Sequence, residues 1–177
     1  MTTITASRPT RKRLPTRSAS SAPHRVAGPD AIAMLRADHK RVDAMFNHFD
    51  KIKDEAKPTQ KQALVDEICV ELTIHTTLEE ELLYPAARDA LGEKGHELLD
   101  EAEVEHATAK DLIAQLESAS PGNELYDAKV AVLGEYVRHH VKEEHDEMFP
   151  KLRKSGMDLK SLGAQMRERR AALLGDA

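Results

Sequence analysis

The chain has 177 residues, a net charge of −5, no Trp, three Phe, three Tyr and one Cys. That is one domain with tails, long enough to bury a core that must be aliphatic. The lone Cys69 excludes an internal disulfide and fits a reducing compartment, the cytoplasm, and the lack of any run of about 18 apolar residues excludes a spanning helix. Charge is unevenly spread: residues 1–28 hold six Lys or Arg and no acid, which leaves 20 of the 26 bases against 31 acids elsewhere. This Ser-, Thr-, Pro- and Arg-rich head buries too little apolar surface to fold and is expected to be disordered. Its charge implies no more than weak attraction to nucleic acid or anionic surfaces, and no apolar segment follows it as in a secretory signal.

Gly28-Pro29-Asp30 pairs a breaker with a capping acid, and Leu35, His39, Val42, Phe46 and Phe49 follow at helical steps, which predicts a helix over 30–53. Lys57-Pro58-Thr59 turns the chain. A second helix over 59–84 aligns Leu64, Ile68, Leu72, His75, Glu79 and Leu82, and Pro85 is expected to end or kink it. A third, over 94–118, aligns Leu99, Ala102, His106, Ala109, Ile113 and Leu116. Pro121-Gly122 marks a turn. The fourth, over 123–148, aligns Tyr126, Val130, Leu133, Val137, His140 and Glu144 before Pro150. A weaker amphipathic stretch from Asp158 to Leu174 predicts a short helix on the bundle or at a partner surface. Short connections imply antiparallel neighbours. The expected fold is all-α: an up-down-up-down four-helix bundle over 29–152, with a basic tail over 1–28 and a C-terminal helical tail over 153–177.

The stretch His75 to Pro85 returns as His140 to Pro150, with His, Glu and Pro at identical offsets 65 residues later. Residues four apart share a helix face, so His75 with Glu79 and His140 with Glu144 each present an imidazole and a carboxylate together. Counted outward from turns near residues 56 and 121, the four seam histidines differ in depth by two to four residues. At about 1.5 Å per residue that is roughly 3–6 Å, so all four can meet at one level. A lone seam histidine is usually a packed boundary residue. Here, however, two carboxylates would be buried without partners at a cost on the order of several kcal/mol each, and a bound cation removes that cost. Six N/O donors without thiolates do not suit one tetrahedral zinc. Two ions fit better, iron first, with manganese or zinc as rivals. A ferritin-like arrangement needs Glu-x-x-His on two helices; Glu103 and His106 have that spacing, but His75 and His140 run His-x-x-x-Glu.

The order His39, His75-x-x-x-Glu79, His106, His140-x-x-x-Glu144, with both pairs closing on Tyr84-Pro85 and Phe149-Pro150, resembles the hemerythrin-like HHE cation-binding domain over roughly residues 30–150. The resemblance implies a carboxylate-bridged, non-haem di-iron centre. His39 and His75 would serve one iron, His106 and His140 the other, with Glu79 and Glu144 bridging. Oxygen-carrying hemerythrins have a further histidine where this chain has Lys110, and they place the last carboxylate five residues after its histidine, a spacing that His139 would restore with Glu144. Fewer histidines leave open positions, which suits reaction with hydrogen peroxide, oxygen or nitric oxide, including catalase-like peroxide decomposition, more than reversible oxygen carriage. The same donors would also serve an oxygen- or iron-binding sensor without turnover. Tyr84 and Tyr136 read as packing residues, His145 as solvated, and Glu80, Glu81, Glu143 and Glu147 as an exposed acidic face, with Glu105 or Glu143 also placed to act behind the donors. A monomer or homodimer is expected.

Overall fold

The computed structural model describes residues 28–175; the basic head up to residue 27 lies outside the described residues. Asp30 caps α1 (Ala31–Ile52) by accepting the Ala33 N–H at 2.8 Å, so the expected start signal works through its side chain. Pro58 opens α2 (Pro58–Leu78) at a position where a missing N–H costs nothing. Then come α3 (Tyr84–Leu91), a 3-10 turn over Gly92–Gly95, α4 (His96–Glu117), α5 (Tyr126–Glu143), α6 (Phe149–Lys154) and α7 (Leu159–Gly175).

The prolines do not end their helices. Between α2 and α3 lies a π turn, Glu79–Leu83, in which the Tyr84 N–H reaches back five residues to the Glu79 carbonyl; between α5 and α6 the turn Glu144–Met148 does the same from Phe149 to Glu144. A proline ring would strike the carbonyl four residues before it in a regular helix, and the widened turn just ahead of Pro85 and Pro150 makes room for it. The helical path therefore runs on to Leu91 and Lys154, past the expected ends at 84 and 148.

Contacts run α1 to α2, α2 to α4, α4 to α5 and α5 back to α1, closing the four-helix bundle, and α7 lies on α1 and α2. The core falls in two parts. Ile32, Leu35, Leu78, Leu83, Leu99 and Leu152 fill one end, joined by Met166 of α7; Phe46, Phe49, Ile68, Leu72, Leu116 and Leu133 fill the other. The seam histidines and glutamates occupy the layer between them. No helix among the described residues is long and apolar enough to cross a membrane.

Candidate metal centre

Each bundle helix brings one imidazole to this layer. His39, His75, His106 and His140 are all buried, with Glu79 and Glu144 at 0% and 1% exposure. The Nε2 atoms point inward in two pairs: His39 and His75 are 3.0 Å apart, His106 and His140 3.1 Å. Each carboxylate lies between the pairs. Glu79 Oε2 is 3.2 Å from His75 Nε2 and 3.4 Å from His106 Nε2; Glu144 Oε2 is 3.2 Å from His39 Nε2 and 3.8 Å from His140 Nε2. Both glutamates open their π turns, so the repeated His-Glu-Pro spacing sets the donor pair and the widened turn together.

The Nδ1 atoms face outward, and three have partners. His39 Nδ1 meets His145 Nε2 at 3.0 Å, His106 Nδ1 meets Glu80 Oε1 at 3.0 Å, and His140 Nδ1 meets Glu105 Oε2 at 2.8 Å. His75 Nδ1 has no hydrogen-bond partner among the described residues; Asp38 Oδ2 faces it at 3.8 Å. Such outer contacts fix ring orientation and donor strength. The His140 hydrogen bond holds the Glu105 carboxyl below its ordinary range. Burial alone would push His75 down, but the Glu79 carboxylate, aided by Asp38 and Glu144, outweighs it and raises His75 to about 10. Glu79 is buried yet held well below its usual range by His75 and His106.

Several residues stand elsewhere than the spacing suggested. His145 is half-buried against His39 rather than solvated. Glu80 is drawn off the exposed face, taking His106 on one side and the Lys110 ammonium at 2.7 Å on the other. The Tyr84 ring does pack, at 1% exposure, but its hydroxyl also sits 3.1 Å from His106 Nε2, the inward nitrogen. Its counterpart in the repeat, Phe149, stacks on His39 and has no hydroxyl. His139 points outward, 63% exposed, toward Glu105 and Glu143, while His140 occupies the layer. Asp38 was missed; adjacency to His39 was its only signal.

The donor chemistry fits a pair of cations. Two imidazole nitrogens about 2.1 Å from one first-row ion, at right angles, lie about 3.0 Å apart, which is the spacing within each histidine pair. All four carboxylate oxygens of Glu79 and Glu144 are buried without a hydrogen bond among the described residues. An orphaned anion of this kind is tolerated when it coordinates metal. Beside the layer is a cavity of about 30 Å³ whose apolar wall includes Val42, Leu72, Ala109 and Val137.

Four buried imidazoles with two carboxylates set between them, inside four helices, make a donor set suited to a cation. The hemerythrin HHE cation binding domain family matches residues 30–152, and the chain belongs to that family. It is 31% identical over 121 residues to a DNA nickase of Nostoc sp., covering 68% of this chain and 32% of that protein. It is 25% identical over 125 residues to an uncharacterised hemerythrin-like protein of Schizosaccharomyces pombe, covering 71% and 60% respectively. The chain thus spans about a third and three-fifths of these two relatives. The crystal structure of a hemerythrin HHE cation binding domain-containing protein from Mycobacterium kansasii is similar at a TM-score of 0.68 and 25% identity, covering 84% of this chain and 90% of that one.

Proposed function

We propose that the chain is a cytoplasmic non-haem di-iron protein that reacts with a small oxidant in oxidative or nitrosative stress defence. His39 and His75 would hold one iron and His106 and His140 the second, with Glu79 and Glu144 as the carboxylate donors shared between the two halves. The observation that carries this reading is the pair of buried, orphaned carboxylates, each set between one imidazole of either pair. Bound iron supplies redox electrons and an open position for an exogenous ligand. The chain supplies the rest. The cavity of about 30 Å³ beside the donors has room for a molecule the size of peroxide, oxygen or nitric oxide. Val42, Leu72, Ala109 and Val137 give it an apolar side, and the Tyr84 hydroxyl stands where it can donate a hydrogen bond into the site. Lys110 is held outward by Glu80 and leaves the third helix with His106 as its single donor.

Iron-loaded protein is expected to carry two irons per chain and to convert two hydrogen peroxide into oxygen and two water. Peroxide decay and oxygen-dependent spectra of wild type, Lys110→His and His106→Ala at equal iron content test this. Untouched peroxide together with a reversible oxygen spectrum in wild type would favour the binding or sensing alternative.

Action on DNA is the rival that the nickase relative raises. The groove beside Glu105 and His139 is lined by Glu97, Asp100, Glu101 and Glu143, a face that repels a polyanion. Incubation of supercoiled plasmid with iron-loaded protein should leave it unnicked.

A further inference from the structure

The C-terminal helix α7 lies beyond the residues that match the family, yet it reaches the centre. Arg170 of α7 donates to Asp38 Oδ2 at 2.6 Å and also pairs with Glu71, one helical turn before His75. Arg41 closes the group from α1, donating to Asp38 Oδ1 at 2.8 Å and to Glu71 at 2.5 Å. Two carboxylates and two guanidiniums thus form a charge-balanced cluster around Asp38, which is 4% exposed. The oxygen held by Arg170 is the one that faces His75 Nδ1 at 3.8 Å, beyond hydrogen-bond reach. His75 is the exception among the four: the other outward nitrogens have partners within 3.0 Å.

We propose that Arg170 is a positioning residue for the centre. By holding Asp38 Oδ2, the oxygen that faces His75 Nδ1, it keeps that carboxylate in place and offsets its charge, so that α7 sets the electron-donating strength of the His39–His75 half. This inference rests on the di-iron reading. A carboxylate behind a ligating histidine strengthens the donor, and removing a nearby cation favours the more highly charged metal. Removing Arg170 therefore lowers the reduction potential, and neutralising Asp38 raises it.

The test is an anaerobic redox titration of full-length, iron-loaded protein, followed by absorbance with iron content measured in parallel. Arg170→Gln is expected to shift the potential downward, Asp38→Asn upward, and Arg170→Lys to stay near wild type. In the Asp38→Asn background, Arg170→Gln should lose most of its effect, because the two act through one contact. Leu116→Ala, a cavity in the opposite core, should lower Tm without moving the potential. An unmoved potential in Arg170→Gln, or an equal shift in Leu116→Ala, overturns the inference while leaving the di-iron reading intact. Should Arg170→Gln fail to fold, a potential in Asp38→Asn at or below wild type overturns it. Wild type that takes up no iron overturns both readings, a result distinguished by the iron content alone.

Discussion

At the residue scale, Glu79 and Glu144 present the sharpest conflict between burial and charge. Replacing Glu79 with Gln removes the charge that a bridged cation pair requires and keeps the volume. Glu79→Gln is expected to fold and to bind iron substoichiometrically, which elemental analysis after desalting would measure. The metal-free centre also makes stability depend on pH. His75 is raised from 6.5 to about 10, so it favours the native state fully below pH 6.5 and loses that contribution as pH rises through about 10. Glu79 is held below its ordinary 4.5, so its contribution is present above that value and is lost as pH falls through the depressed native one. Protein kept in chelator should therefore show its highest Tm between these limits and a falling Tm on either side; a flat profile across pH 6.5 to 10 would contradict the His75 assignment.

At the element scale, α7 docks through a contact that only glycine permits. A Cβ on Gly163 would lie 2.7 Å from the Ala31 backbone nitrogen and 2.8 Å from the Pro29 carbonyl oxygen. Gly to Ala inside a helix ordinarily stabilises by about 0.5–1 kcal/mol, but these neighbours are backbone atoms and cannot step aside. Gly163→Ala is expected to reverse that sign and destabilise by about 1–3 kcal/mol, the usual cost of overpacking, read as a lower urea midpoint. Arg169 adds a bidentate grip on Glu81 in the π turn, at 2.6 and 2.9 Å, so α7 braces the segment that follows Glu79.

At the scale of the whole molecule, the polar layer divides the core and draws an imidazole from each bundle helix, so metal bound there would act as a cross-link. Any ligand that binds only the native state stabilises it, by about 2.7 kcal/mol at a hundredfold excess over Kd. Iron loading should raise Tm and chelation should reverse the gain, which calorimetry with and without chelator would show. Deleting residues 1–27 should leave iron content unchanged, because every proposed donor lies within the described residues.

Helical period, turn composition and the repeated His-Glu-Pro spacing are local properties, so the four seams, their antiparallel order and the six residues of the central layer were legible from the chain alone. Matching each histidine to its outward partner was not, Glu105 apart, because it depends on how the helices rotate and slide against one another. The outward contacts of His106 with Glu80, His140 with Glu105 and His39 with His145 arise only when bundle helices close together. The helices run on past the prolines for a related reason: the rule that proline ends a helix assumes a regular turn, and packing of Leu83, Tyr84, Met148 and Phe149 into the core supports a wider one. The C-terminal helix carried a weak pattern because its apolar contacts, Leu162 and Met166 with Leu159 and Leu173 beside them, are few, and Gly163 and its arginines share in holding it; close backbone approach has no signature in sequence.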